Sequence, residues 1–276
     1  MLIALDTSTA WCSAGISAAD IAGVNQPIQT ISRYLGTGHS AHLLTMIDEL
    51  LGQRDTPFSA ITSIVVTVGP GSFTGLRIAC GVAQGLALGS DLSIVPLSTL
   101  EVIAQRFVGQ NCPIVVCLDA RMDELYCAVF NASGLRLCED FVAGPVQVST
   151  QVIALLEAQL PDALTVHSTI KFNAVGNGWA LHATQQTAMY GLINLCDDQA
   201  YPKPADMLQL GMRQLAGLDG HRGTNQSQRF AAENAIPAYV RNQVALDMAQ
   251  QRQLREANEQ VRQHQIVQDR AQGVHE

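Results

Sequence analysis

The sequence predicts an α/β fold whose core plan occurs twice, and two observations carry that expectation. Short apolar strands alternate with segments of helical period along most of the 276 residues, the pattern of layered α/β domains. A strand, an aspartate, a polar turn and a returning strand also recur. "LIAL" runs through "DTSTAW" into "CSAGI", and residues 114–130, "IVVCLDARMDELYCAVF", repeat that grammar, with Asp119 in the place of Asp6 and "LYCAV" at the offset of "CSAGI". Each copy opens a segment of about domain size. The expected division is 1–110, 111–245 and a remainder, 246–276.

Taken in order, the first hairpin is expected at the edge of a buried sheet. "HSAHLLTMIDELLGQ" then carries Leu43, Ile47, Leu50 and Leu51 at helical spacing, with Ser40 placed to cap the helix. The strand "ITSIVVTV" leads into the turn "GPGSFTG" and a second helix, "LRIACGVAQGLALG". After the second hairpin come a helix near "VSTQVIALLEAQL", a short strand ending in "AVGNGWA", and a helix after Pro202 and Pro204. Beyond Arg241 the chain turns rich in Gln, Arg and Glu, with little to bury, and reads as a mobile polar appendage.

Composition narrows the function classes. At 47% hydrophobic residues the chain can bury a real core. A formal net charge of -8 argues against unaided binding of tRNA or DNA. The seven cysteines are odd in number and form no C-x-x-C pair, the mark of reduced, buried thiols in a cytoplasm. Only a four-residue apolar run precedes Asp6 and no basic leader is present, so a soluble, cytoplasmic protein without a membrane span is expected.

The turn "GPGSFTG" admits two readings. A strand, a glycine-rich turn and a helix can present backbone N–H groups to a phosphate. The match to named phosphate loops is poor, because the Gly-Lys-Ser/Thr of a P-loop is missing and the third glycine comes one residue late for the dinucleotide fingerprint. The preferred reading is a tight corner, with Pro70 and Gly71 in the turn, Ser72 or Thr74 as cap, and Gly75 for close backbone approach.

The helix that follows is more informative. At about 100° per residue, Gly75, Ala79, Ala83 and Ala87 form one lane and Gly81, Gly85 and Gly89 another, flanking Ile78, Val82 and Leu86. Only Arg77 and Gln84 supply a polar stripe. Helical glycines cost about 0.5–1 kcal/mol each relative to alanine, a cost that close packing would offset. One lane is expected against the chain's own 40–51 helix, and the helix pair is expected to present an apolar surface to a second chain. The expected interface residues are Leu43, Ile47, Gly75, Ala79, Val82, Ala83 and Leu86, with Ala83→Trp predicted to break association while sparing the fold.

Other chemistry is sparse. His39 and His42 could share a metal, but no third ligand is near and a surface helix is the preferred reading. Asp6 with Thr7 and Ser8, and Asp119 with Arg121 and Glu124, sit where strand ends can hold a metal–phosphate group, although aspartates making local turns there are as common. No serine or cysteine nucleophile with a paired base stands out.

The blocks "LIALDTSTAWCSAGI", "HSAHLLTMIDELL", "VTVGPGSFTGLRIACGVAQGLALG", "LSTLEVIAQ", "LDARMDELYCAVF" and "PAYVRN" occur in the order of the TsaB family, also called YeaZ, which the chain resembles over roughly residues 1–245. The resemblance implies two RNase H-like halves of the actin, sugar-kinase and chaperone-ATPase superfamily. It implies an accessory subunit for threonylcarbamoyl transfer to the adenosine beside the tRNA anticodon. It also implies a degenerate paralogue of the catalytic subunit TsaD, whose metal-binding histidine pair has no H-x-x-x-H counterpart here. The implied partners are TsaD, the ATPase TsaE through the complex, and a second copy when alone, with tRNA reached only through the complex. No catalytic residue, no metal and no tightly bound cofactor is expected, and ATP or ADP is left open for the complex, with Asp6, Thr7 and Ser8 as a remnant phosphate site. The competing expectation is an independent ATPase or glycoprotease-like peptidase.

Overall fold

The computed structural model describes residues 1–17, 27–159, 171–181, 187–217 and 231–240. Contacts divide the chain into Met1–Val240 and Arg241–Glu276. The polar extension 246–276 lies outside the described residues.

The first sheet contains β1 (Leu2–Asp6), β2 (Trp11–Ser17), β3 (Gln29–Tyr34), β4 (Ser63–Gly69) and β5 (Ser93–Ser98), in the order β3-β2-β1-β4-β5. β1 runs antiparallel to β2 and parallel to β4. The first hairpin is therefore not at the edge: β1 is the central strand, with all of Leu2–Asp6 buried, because a strand covered on both faces is apolar without alternation. The edge is β3, whose half-buried "QTISRY" carries no clean apolar period.

Alternate residues of β1 face opposite layers. Ile3 and Leu5 join Ile64 and Val66 under helices α1 (Leu43–Gln53) and α2 (Phe73–Ser90). Leu2 and Ala4 join Val65 and Val95 under α3 (Thr99–Gln105) and, from far along the chain, a helix at Pro204–Leu215 that supplies Met207 and Leu208. α1 begins at Leu43 after a short 3-10 turn, His39–Ala41. Ser40 lies inside that turn and does not cap the helix, whose N-cap His42 makes no side-chain cap bond. α3 is capped as "STLE" suggests, with Ser98 Oγ accepting from the Glu101 N–H at 3.4 Å.

The second sheet repeats the first. β6 (Ile114–Arg121), β7 (Glu124–Phe130), β8 (Phe141–Ala143), β9 (Phe172–Val175) and β10 (Ile193–Asp197) lie in the order β10-β9-β6-β7-β8. β6 is antiparallel to β7 and parallel to β9, as β1 is to β2 and β4. The duplicated hairpins thus occupy equivalent places in two mixed five-stranded sheets, a two-lobed α/β fold. α4 (Pro145–Gln159) and the short helices α5 (Gly178–Leu181) and α6 (Thr187–Tyr190) belong to this half, and the Pro204–Leu215 helix, α7, follows them. The sequence boundary at 110/111 falls between α3 and β6, yet α7 returns to the first sheet: a Cβ on Gly15 would lie 2.6 Å from Pro204 Cβ.

Candidate functional site

The functional question centres on the corner between β4 and α2. There the Ser72 N–H donates to the Ser8 carbonyl at 2.7 Å, and Thr7 Oγ1 donates to the Gly75 carbonyl at 2.6 Å. Ser72 Oγ caps α2 by accepting from the Gly75 N–H at 3.2 Å. A Cβ on Gly71 would strike the Ser8 carbonyl, and one on Gly75 the Thr7 carbonyl. The glycines therefore let the corner close on the β1–β2 turn, and the Ser72 and Gly75 N–H groups already have acceptors. The geometry supports the tight-corner reading.

Asp6, Thr7 and Ser8 are buried together beneath this corner. Asp6 Oδ1 accepts from the Ser8 N–H at 3.1 Å, from Ser8 Oγ at 2.6 Å and from Thr67 Oγ1 on β4. Its other oxygen, Oδ2, has no hydrogen-bond partner among the described residues. Burial pushes the carboxyl from 3.8 up to about 6, against the opposing pull of the Ser8 and Thr67 hydrogen bonds.

The equivalent position in the second half is more open. Asp119 accepts from the Arg121 N–H at 2.8 Å and pairs with its guanidinium at 3.0 Å. Glu124 sits opposite Arg121 across a turn in which Met122 and Asp123 adopt φ of 57° and 56°. Gly176 and Gly178 let the chain after β9 approach the Cys117 carbonyl, two residues before Asp119, whereas Gly71 and Gly75 approach the Ser8 and Thr7 carbonyls just after Asp6. His39 departs from the surface-helix reading: it is buried, and that burial lowers its imidazole below the usual value. Among the described residues no group of three or more His, Cys, Asp or Glu could hold a metal.

α2 has one face in the core and one in the open. Ala79, Ala83 and Ala87 are buried in the same core as Leu43 and Ile47 of α1, and Gly75 is buried against the β1–β2 turn. Of the seven residues expected at an interface, Leu43, Ile47, Ala79 and Ala83 pack in the core over the chain's own sheet, and Gly75 is buried at the corner. Only Val82 and Leu86 are half-exposed. Ala83 is 0% exposed, so Ala83→Trp would overpack the core rather than test an interface. The other small lane faces outward: among the described residues, Cβ atoms on Gly81, Gly85 and Gly89 would meet nothing within 4 Å. Beside it Leu88 is 77% exposed.

The polar stripe of α2 holds a segment whose place was not read from the sequence. Gln84 Nε2 donates to the Ala235 carbonyl at 3.1 Å, and Arg77 Nε to Tyr239 Oη at 3.1 Å. The Ala238 N–H donates to the Val68 carbonyl at 2.7 Å, next to Gly69, where a Cβ would lie 2.7 Å from the Ala238 carbonyl. Residues 231–240 thus run as a strap beside α2. The available signal was that Arg77 and Gln84 are the only polar breaks in a helix otherwise made of small, apolar and hydroxyl side chains.

A family model described as "TsaD: tRNA N6-adenosine threonylcarbamoyltransferase" matches residues 29–248. The "tRNA threonylcarbamoyladenosine biosynthesis protein TsaB" of Haemophilus influenzae is 31% identical over 245 residues, 88% of this chain and 94% of that protein. The chain belongs to the TsaB family. The Escherichia coli protein of the same name is 28% identical, with 88% of this chain and 96% of that one covered. A solved structure of YeaZ from Pseudomonas aeruginosa superimposes with a TM-score of 0.66 at 27% identity, covering 86% of this chain and 98% of that one.

With the TsaB family in hand, the blocks that resemble it have places in the fold. "LIALDTSTAWCSAGI" is β1, its turn and most of β2; "HSAHLLTMIDELL" is the 3-10 turn and most of α1; "VTVGPGSFTGLRIACGVAQGLALG" is the end of β4, the corner and nearly all of α2; "LSTLEVIAQ" ends β5 and makes α3. The first four residues of "PAYVRN", Pro237–Val240, end the strap, and its last two lie outside the described residues. Apart from the β6–β7 hairpin, every TsaB block surrounds the first sheet.

Proposed function

We propose that the chain is the accessory, partner-binding subunit in threonylcarbamoyl transfer to tRNA. The observation that carries this reading is the outward face of α2. Gly81, Gly85 and Gly89 open onto empty space there, flanked by exposed Leu88 and half-buried Ile78, Val82 and Leu86. Helix interiors lose stability at glycine, and among the described residues nothing packs on these three. They make sense where a second chain packs backbone-close, as small residues permit.

The partner in this reading is a TsaD-type catalytic subunit, since both the family model and the TsaB relatives carry the threonylcarbamoyl name. A TsaE-type ATPase and tRNA would be reached through that complex, because a net charge of -8 disfavours direct RNA binding. When alone, the same face would pair with a second copy. ATP or ADP, where used, would be bound in the complex. The corner at GPGSFTG contributes by anchoring α2, with Thr7 and Ser8 carbonyls filling its floor.

Reconstituted transfer to tRNA by a TsaD-type subunit, with and without the purified chain, tests this. The reading expects transfer to depend on the chain. Transfer at the full rate in its absence would refute it.

A further inference from the structure

Asp6 carries its hydrogen bonds in an asymmetric way. All three donors, the Ser8 N–H, Ser8 Oγ and Thr67 Oγ1, converge on Oδ1, and buried Oδ2 has none. A carboxylate that served a metal or phosphate would need its charge and a free approach. Here a single acceptor oxygen performs the visible task, and an amide oxygen could do the same.

That task reaches α2 through a short chain of contacts. Asp6 bends the turn so that the Ser8 carbonyl points at the Ser72 N–H, 2.7 Å away. Ser72 then caps α2 through the Gly75 N–H, and its carbonyl accepts the Leu76 N–H at 2.8 Å. Beside it Thr7 Oγ1 grips the Gly75 carbonyl at 2.6 Å. Thr67 ties the same carboxyl oxygen to β4, the strand that enters the corner. Both ends of the corner and the first turn of α2 are thereby referred to one side chain.

We infer that Asp6 is a positioning residue for the partner face: its Oδ1 locks the β1–β2 turn under the GPGS corner and so sets the start of α2. This rests on the reading of α2 as the surface that binds the partner. It assigns the strand-end aspartate a neutral acceptor's role, in place of a phosphate or metal ligand's.

The test uses the full chain with Asp6→Ala, Asp6→Asn and Ser8→Ala, reading amide hydrogen exchange at Ser72, Gly75 and Leu76 and affinity for a TsaD-type subunit by calorimetry. Asp6→Ala is expected to speed exchange at these amides about tenfold or more while leaving Ile114–Phe130 unchanged, and to weaken association about tenfold. Asp6→Asn is expected to stay near wild type in both. Ser8→Ala, which removes one donor and keeps the fold if Asp6→Ala does not, is expected to speed the same amides by less. Unchanged exchange in Asp6→Ala and Ser8→Ala overturns the lock. So does an Asp6→Asn protein as impaired as Asp6→Ala, because the charge would then be the requirement. Faster exchange with unchanged affinity overturns the link to binding, and so the partner-face reading, while leaving the lock intact.

Discussion

Asp6→Asn should flatten part of the pH dependence of stability. The carboxyl is 0% exposed, so solvent screening does not discount its shift from 3.8 to about 6. A change of that size corresponds to about 3 kcal/mol. The sign follows from the direction of the shift: a folded-state value raised above the unfolded one gives stability that is fully present below about 3.8 and lost as pH rises through about 6. Above that range the protein carries a buried carboxylate with one unpaired oxygen. Urea denaturation of wild type and Asp6→Asn in steps from pH 4 to pH 8 measures the difference, in which other titrating groups cancel. Wild type should gain on the variant by about 2–3 kcal/mol as pH falls across the window. Parallel stability curves, or a gain in the opposite direction, would refute the reasoning.

Three further outcomes follow from the same geometry. Ala83→Trp should cost about 1–3 kcal/mol or more in thermal or chemical denaturation, because the site is closed by the chain's own core; an unchanged midpoint would contradict that placement. Gly81→Ala and Gly85→Ala should each stabilise the isolated chain by about 0.5–1 kcal/mol, since their Cβ atoms enter open space, and a loss of stability would show that the face is covered within the chain. In native labelling with a maleimide, exposed Cys196 should react before buried Cys12 and Cys80, whose thiols burial pushes up to about 11; mass mapping of the first adduct checks the order.

Both central hairpins could be read from the sequence because each apolar strand stops at an aspartate and resumes after a short polar turn. Their sheet order could not, since a central strand such as "LIAL" and an edge strand differ in what lies beside them. β3, β8 and β10 are half-buried or exposed edges, and there the period-2 signal weakens. The two small lanes of α2 were visible as periodicity, but which one faces the sheet depends on the rotation of the helix, and alanine and glycine lanes look alike to a pattern. Asp6 read as a strand-end ligand because its burial arises from residues some sixty positions away at Thr67 and Ser72. The return of α7 and the strap at 231–240 to the first sheet is likewise a long-range event, and its one mark, the polar pair Arg77 and Gln84, lies on α2 far along the chain. Five of the seven cysteines are buried, in line with the reading of buried thiols, while Cys196 is exposed and Cys138 half-buried, because they lie on an edge strand and a loop.

The central claim is that the outward lane of α2 binds the partner. Its most direct test is size-exclusion chromatography with light scattering of the full chain mixed with a TsaD-type subunit. Wild type would be compared with a Gly81→Arg, Gly85→Arg double variant and with Val146→Arg, which changes an equally open site on α4. Complex formation lost in the double variant and kept in Val146→Arg is the predicted result, and a complex that survives both arginines on α2 would contradict it.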